Sequence, residues 1–319
     1  LRLEPWLTVM YEIYKNLNTD VARAGVYASL GDGLKTGITT SNDLWYPHPV
    51  GVTGLVDAEI EAARELGIRF HPVRAYHSVA NDIVPPEVVD TTEGVMADTE
   101  RLVKKYHDRS RFSMCRVGVG PSIAQYETEE IVRATIDLAE KLDIMVHGHL
   151  AESRHEVEYT LEKFGCRPAE WFRRHDMLGD RFYYAHCIHL SDDEVTLMAK
   201  TNTGISTCPI SNMYLSSGSC RVPELLRAGV TRFGIGVDCA ASSNSANMME
   251  EIRVSYLLNR LSWGDASANA EDVLYMATAG GAKVLARDDI GYLAPGMAAD
   301  FILMNWNQMQ YAGGCNDPV

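Results

Sequence analysis

The sequence predicts an α/β protein built as a (β/α)8 barrel. Seven short apolar strands before residue 240 alternate with helical segments, and this alternation favours a parallel sheet with right-handed crossovers. Three of these strands end in histidine or aspartate, which is where a (β/α)8 barrel presents its catalytic groups. The length of 319 residues and a hydrophobic share of 46% also suit one large barrel core.

The predicted elements follow from apolar runs, helical periodicity and turn residues. The strands are predicted over residues 37–41, 69–75, 115–120, 142–146, 182–189, 204–207 and 233–238. The helices are predicted over residues 8–15, 20–30, 57–66, 98–107, 129–141, 154–164, 168–175, 192–200, 222–228, 247–261 and 270–286. Thr128 is the predicted N-cap of the helix over 129–141. A last strand, over 299–304, is predicted outside the barrel.

Composition excludes several classes of partner. The formal net charge is −14, from 29 basic and 43 acidic side chains, and no basic stripe stands out, which argues against nucleic acid and anionic membranes. Neither a signal peptide nor an apolar run of the roughly 18 residues that a membrane helix needs is found. The seven cysteines never form a C-x-x-C pair. We therefore expect reduced thiols in a cytoplasmic protein.

The most informative motif is His147-Gly148-His149, followed by Glu152. Side chains two positions apart on a strand point to the same face, and a carboxylate three residues beyond His149 can fold back over whatever the histidine binds. A metal ligand beside a general acid or base is the minimum needed to activate water. A histidine pair at a strand end is by itself more often structural, and we expect a structural role for His147.

Two further strands end in similar residues. The apolar run from Phe182 reaches His186, and the glycine-rich run from Phe233 reaches Asp238. One buried histidine or aspartate at a strand end would be unremarkable, but three in one chain indicate a shared site at the carboxyl edge of the sheet.

At these residues the chain resembles the amidohydrolase superfamily, and within it the branch of guanine-type, 8-oxoguanine, isoxanthopterin and s-triazine aminohydrolases. The 8-oxoguanine deaminases are the most similar members of that branch. The motifs occur in the order typical of the family and lie at residues 149–152, 185–187, 208–213, 236–238 and 293–300.

The resemblance implies one bound zinc ion, with His149 and Asp238 as ligands. It implies that Glu152 is the general acid and base, that His186 polarises the attacking water, and that Asp238 also accepts a proton from that water. It implies a barrel domain over residues 1–289 and part of a small β-sandwich domain over 290–319. Homo-oligomers are common in this branch, and the oligomeric state is left open.

Three departures from the family pattern qualify these expectations. No His-x-His precedes His147, so we expect the first barrel strand and part of the β-sandwich to be missing. Thr207 stands where related chains carry histidine, which puts the substrate in doubt. The strand over 115–120 has no Lys, Asp or Glu, which favours one metal ion over two.

The predicted ligand is a small heterocycle. Arg74 is a candidate for hydrogen bonding to a ring carbonyl of the substrate, or for a salt bridge at the barrel mouth. Trp45, Tyr46 and Tyr76 follow or end strands and could stack on a flat ring, or pack loops. Thr207 and Asn212 are further candidates near the site. These residues predict a zinc-dependent deaminase acting on a guanine-like ring, most of all 8-oxoguanine. The alternatives are a pterin or s-triazine aminohydrolase and a non-catalytic binding or oligomerisation barrel.

Overall fold

One curled, seven-stranded parallel sheet organises the protein. The computed structural model describes residues 1–305, 307–309 and 312. Each strand pairs with its neighbours in chain order, and the ladder is parallel throughout. The strands are β1 (Thr40–Trp45), β2 (Arg69–Tyr76), β3 (Gly118–Pro121), β4 (Val146–Leu150), β5 (Phe182–His186), β6 (Gly204–Thr207) and β7 (Phe233–Ile235).

Helices fill the connections between strands. They are α1 (Leu3–Tyr14), α2 (Thr19–Lys35), α3 (Leu55–Leu66), α4 (Thr92–Tyr106), α5 (Glu129–Leu142), α6 (Arg154–Phe164), α7 (Pro168–Arg174), α8 (Asp192–Thr201), α9 (Pro209–Tyr214), α10 (Val222–Arg227), α11 (Ala240–Ser243), α12 (Met248–Trp263), α13 (Ala270–Tyr275) and α14 (Gly281–Val284). At the start of many of these helices, the N-cap side chain accepts a backbone N–H of the first turn. The predicted cap Thr128 accepts the Ile131 N–H, and Ser191 and Glu194 form a capping box on α8.

The α/β barrel prediction is confirmed, although several element boundaries differ from those predicted, among them those of the first strand, which spans 40–45 and not 37–41. The fourth strand begins four residues later than predicted, so His147 and His149 lie within β4 and not after it. The long helix predicted over 270–286 is interrupted by a π-helical turn at Met276–Gly280. There Gly280 approaches β7 so closely that a Cβ atom would lie 2.2 Å from the Phe233 carbonyl oxygen.

The strand predicted over 299–304 is wrong. These residues have no regular secondary structure, and no described strand pairs with them. A strand needs a hydrogen-bonded neighbour, and Phe301, Ile302 and Leu303 are instead 56%, 44% and 89% exposed. Asp300 ties the segment to the barrel through a 3.1 Å ion pair with Arg69. Because residues 306, 310, 311 and 313–319 fall outside the described part, the predicted β-sandwich remains a prediction.

The main hydrophobic core lies between the sheet and its helices, and buried Val, Ile, Leu and aromatic side chains from β3 to β7 pack there against α5, α7, α8 and α10. The six cysteines in the described residues are all free. Among the described helices, none combines the length and apolar character that crossing a membrane requires.

Candidate active site

The predicted metal ligands and catalytic residues meet at the carboxyl ends of β4, β5 and β7. The imidazole rings of His149 and His186 stack with centroids 5.3 Å apart and planes 13° apart. The Nε2 atom of His186 lies 3.5 Å from a carboxylate oxygen of Glu152. A carboxylate oxygen of Asp238 lies within 4.8 Å of a ring nitrogen of His186. The structure therefore assembles one polar site from segments nearly 90 residues apart in the sequence.

Unusual backbone conformations turn these side chains into the site. Ala151, His186, Cys187 and Asp238 all have positive φ values, between 50° and 70°. This left-handed region costs energy for residues with a Cβ atom, and such strain concentrates at functional sites. Strict alternation would direct Leu150 and its register partner His186 to the same side of the sheet. The positive φ at His186 breaks that alternation at the strand end.

Hydrogen bonds fix the orientation of both imidazoles. His149 donates from Nδ1 to the Ser122 carbonyl oxygen at 2.8 Å, which leaves Nε2 with a free lone pair. His186 shares Nδ1 with Oδ1 of Asn212 at 2.8 Å, so its Nε2 faces Glu152. Burial lowers the pKa of His149, which keeps this ring neutral and able to bind a metal. The predicted site residue Asn212 thus acts by orienting His186.

Glu152 is buried beside His149, His186 and Asp238. It is 4% exposed, and burial raises its pKa to about 8, with the Asp238 charge adding to the rise and His149 opposing it. A carboxyl group in this range holds a proton near neutral pH and can also give it up, which is what a general acid and base requires.

Sequence reasoning missed Glu156, which supports Glu152 from behind. Its carboxylate accepts the backbone N–H groups of Ala151 at 2.8 Å and Glu152 at 2.9 Å, and the Gln125 side chain donates to it at 3.1 Å. Burial raises the pKa of Glu156 to about 7. In the sequence, Glu156 looks like an ordinary acidic residue of a first helical turn, so only the fold reveals its contact with the turn after β4.

Asp238 is the most open residue of the group. Ser211 donates its hydroxyl to Oδ2 at 2.6 Å, and the Cys239 backbone N–H donates to Oδ1 at 2.7 Å. The aspartate is thereby oriented for binding a cation or accepting a proton.

The residues at this site fit a zinc ion. In the described part of the chain, one group of three potential ligands occurs, formed by His186, Cys208 and Asp238, and His149 stacks on its histidine. Zinc prefers this mixture of imidazole, thiolate and carboxylate donors. Burial raises the pKa of the Cys208 thiol well above its usual value. His149 and Asp238 remain the predicted ligands, and Cys208 lies beside Asp238 and His186.

His147 has a packing role, as the sequence analysis favoured. Its ring stacks on Tyr183 with centroids 4.1 Å apart, and its Nδ1 atom bonds to the Tyr183 carbonyl oxygen. Burial lowers its pKa to about 3, so it is an uncharged core residue.

Three predicted substrate-binding residues do not reach the site. Arg74 forms ion pairs with Asp90 at 2.8 Å and Asp98 at 2.9 Å, which matches the salt-bridge alternative. Tyr76 is fully buried, and its hydroxyl lies 2.7 Å from Thr135 of α5. Trp45, the register partner of Arg74, packs against α2 and α3. All three side chains therefore point to the helix layer, because residues on one strand face alternate with period two.

Thr207 is also turned away from the site. It is 1% exposed, and its hydroxyl approaches the Cys220 thiol, whose pKa burial raises to about 12 while Thr207 opposes the rise. Tyr46, one position after Trp45, points the other way: its ring meets His149 edge-on, with centroids 5.9 Å apart. Tyr46 was predicted as one of three possible stacking residues, together with Trp45 and Tyr76.

Comparisons with known proteins agree with this geometry. The model of the amidohydrolase family matches residues 1–314. The 8-oxoguanine deaminase of Pseudomonas aeruginosa is 34% identical over 320 residues, covering 99% of this chain and 71% of that protein. An isoxanthopterin deaminase from an unknown prokaryotic organism is 31% identical over 343 residues, covering 99% of this chain and 70% of its own length.

A solved structure shows the same fold with a metal ion. The zinc complex of the atrazine chlorohydrolase TrzN from Arthrobacter aurescens superposes with a TM-score of 0.90 at 26% identity, covering 98% of this chain and 72% of that one. The chain belongs to the amidohydrolase family and is a hydrolase that acts on C–N bonds. It spans about 70% of the length of the two deaminases.

Proposed function

We propose that this hydrolase is a zinc-dependent deaminase that releases ammonia from a guanine-like heterocycle, and that 8-oxoguanine is its substrate. The observation that carries the proposal is the meeting of His149, His186, Glu152 and Asp238 at one strand edge. A pure binding protein has no need for a histidine pair beside a buried, protonatable carboxyl group. This argues against the alternative of a non-catalytic barrel.

His149 and Asp238 would hold the zinc ion, one per chain. A bound zinc ion supplies Lewis-acid activation of water, which lowers the pKa of that water to roughly 7. His149 is suited to this by its free Nε2 lone pair, and Asp238 by an oriented carboxylate.

The protein's own residues would move the protons. Asp238, fixed by Ser211 and the Cys239 N–H, accepts a proton from the attacking water. Glu152 delivers its proton to the ring nitrogen next to the reacting carbon, takes up the remaining proton of the added water and passes it to the leaving amine. The proton on Asp238 then returns to Glu152, which restores both carboxyl groups. His186, oriented by Asn212, donates or accepts at Nε2 to steady the oxygen that adds to the ring. One water is consumed, the C–NH2 bond becomes C=O, and one ammonia leaves.

The choice of 8-oxoguanine is supported by the 34% identical relative that carries this activity in its name. The runner-up substrates are a pterin, supported by the isoxanthopterin deaminase, and an s-triazine, supported by the TrzN fold. All three ring systems are flat, nitrogen-rich and bear a leaving group on a carbon between ring nitrogens, so the same residues would serve each of them.

Ammonia release tests the proposal directly. The purified, zinc-loaded chain is assayed with 8-oxoguanine, isoxanthopterin and an amino-s-triazine at equal concentrations. We expect one ammonia and one uric acid per 8-oxoguanine consumed, at a higher kcat/KM than for the other two. Release from isoxanthopterin or the triazine alone would retain the deaminase and reject the substrate. Absence of ammonia from every ring, with zinc bound, would reject the deaminase.

A further inference from the structure

Tyr46 is an aromatic side chain that contacts the candidate site from the end of a strand. It directly follows β1, and its ring meets two histidines edge-on. The centroid distances are 5.9 Å to His149, at an interplanar angle of 77°, and 5.3 Å to His77, at 79°. Edge-to-face contacts of this kind are favourable and define the plane of each ring. Tyr46 is half-buried, so part of it remains accessible to a ligand.

Behind Tyr46 runs a relay of three buried polar side chains. His77 contacts Glu127 through Nδ1 at 3.1 Å and Tyr11 through Nε2 at 2.6 Å. Because a carboxylate only accepts, Nδ1–H of His77 donates to Glu127, and the Tyr11 hydroxyl donates to Nε2. The side chains of His77 and Glu127 are 7% and 1% exposed, and Tyr11 is 2% exposed.

Glu127 is itself fixed, so the relay has a rigid end. The backbone N–H of Ser78 and its hydroxyl both donate to the second carboxylate oxygen of Glu127, the hydroxyl at 2.7 Å. Both ring nitrogens of His77 are thus occupied, and its ring plane cannot rotate without breaking a buried hydrogen bond. A satisfied buried network of this kind holds one geometry.

The relay also attaches α1 to the barrel mouth. Tyr11 and Tyr14 lie on α1, with ring centroids 5.6 Å apart, and Tyr14 lies 6.3 Å from Tyr46. Tyr11, Tyr14, Tyr46 and His77 therefore form a closed set of edge-to-face contacts. None of these residues takes part in the proton transfers described above, so the set calls for a different role.

We propose that Tyr46 is the wall against which a planar nitrogen heterocycle binds, and that Tyr11, His77 and Glu127 are positioning residues that hold its ring. The identity of the ligand class rests on the proposed function. The physical reason is that a flat ring gains stacking energy only from an aromatic partner already held at the required angle.

The proposed role of Tyr46 as the wall is tested by measuring the binding of products, which cannot react further. The probes are uric acid, the product expected from 8-oxoguanine, together with the deamination products of isoxanthopterin and of an amino-s-triazine. Their affinities for the zinc-loaded chain are measured by calorimetry. We expect Tyr46→Ala to weaken the product that the parent binds by about tenfold or more, since base stacking on an aromatic side chain is typically worth that much. Tyr46→Phe retains the ring and should lose much less.

A matched control is Tyr27→Ala, which removes an aromatic side chain from the surface of α2, where it contacts Arg23 and Glu65. It should bind the same product as tightly as the parent does. Equal affinity of Tyr46→Ala and the parent would overturn the wall, and so would equal losses in Tyr46→Phe and Tyr46→Ala.

Kinetics test the positioning residues. Tyr11→Phe removes one hydroxyl and keeps the packing of α1, and His77→Asn breaks both bonds of the relay. We expect each variant to raise KM several-fold while kcat stays within about twofold, because substrate placement is lost and the proton-transfer groups are intact. Unchanged KM in Tyr11→Phe with unchanged circular dichroism would overturn the positioning role.

The two proposals fail in different ways. A parent that binds one of the products but releases no ammonia would reject the proposed function, while the effect of Tyr46→Ala on that product would still decide the wall. A parent that binds none of the three products would overturn the wall.

Discussion

Two buried pairs of residues at opposite ends of the barrel differ in how their charge is compensated. At the amino ends of the strands, Arg287 and Asp289 form a bidentate ion pair at 2.7 and 2.9 Å, with side chains at most 1% exposed. Arg287 holds the pKa of Asp289 well below its usual value. At the carboxyl ends, Glu152 and Glu156 are buried without a lysine or arginine partner, and burial raises their pKa values to about 8 and about 7.

This difference indicates that the Arg287–Asp289 pair serves stability, whereas Glu152 and Glu156 serve proton transfer. A paired charge contributes to the folded state only while its partner is present, and it has no proton to exchange near neutral pH. An unpaired buried carboxyl group destabilises the fold but keeps a proton available in that range.

The largest effect is expected at Glu152. Glu152→Gln keeps the shape and burial of the side chain and removes its ability to transfer protons. Ammonia release should fall by about 10²–10⁴-fold, the usual contribution of a general acid and base. The zinc content and thermal unfolding of the variant should match those of the parent. Retention of more than a tenth of the parent kcat would remove Glu152 from the proton-transfer role.

At the opposite end, Asp289→Asn should act on stability alone. It leaves the Arg287 guanidinium buried without its carboxylate, which typically costs about 3–5 kcal/mol. Chemical denaturation measures the free energy of unfolding, and kcat is measured on the fraction that remains folded. A fall in kcat larger than the fall in stability would mean that the two ends are coupled.

An intermediate effect is expected at Glu156. Replacing it with alanine leaves the N–H groups of Ala151 and Glu152 without an acceptor, and each buried unsatisfied group costs about 1–3 kcal/mol. The turn that places Glu152 should loosen, so kcat falls and the free energy of unfolding falls with it. Glu156→Gln retains one carbonyl acceptor and should lose less of both. Identical kinetics in Glu156→Ala and the parent would show that the turn is set by its backbone alone.

The smallest effect is a difference in pH dependence. The pKa of Asp289 is lower in the folded state than in the unfolded state. The stability from its ion pair is therefore present above the unfolded pKa of about 3.9, and it is lost as the pH falls from there through the lowered folded pKa. Glu251, behind Asp238, has the opposite sign: burial raises its pKa to about 8, so stability is lost as the pH rises from roughly 4 to 8.

Glu251→Gln should therefore reduce the alkaline loss, to which Glu152 and Glu156 also contribute, and Asp289→Asn should reduce the acid loss. Denaturation curves of the parent and both variants between pH 3 and 9 measure this. A Glu251→Gln variant whose stability falls as steeply as that of the parent between pH 6 and 8 would contradict the raised pKa.

Much of the fold and the centre of the site could be predicted from the sequence. The carboxyl ends of parallel strands converge, so His149, His186 and Asp238 could be placed together from strand ends alone. The predictions of substrate-binding residues were wrong because the face to which a side chain points depends on the register of its strand. Arg74, Tyr76 and Trp45 point to the helix layer, while Tyr46 points to the opposite side. Glu156 and the Tyr11–His77–Glu127 relay could not be predicted, since their partners lie up to 66 residues away in the sequence and no local pattern marks them.

The central claim is that the site around Glu152, at the carboxyl ends of the strands, is a zinc-dependent deaminase site. The direct measurement is ammonia release from 8-oxoguanine while zinc is added stepwise to metal-free chain. The account predicts no turnover without zinc, and a linear rise that ends at one equivalent per chain. Full turnover without metal, or a zinc-saturated chain that releases no ammonia from 8-oxoguanine, would contradict it.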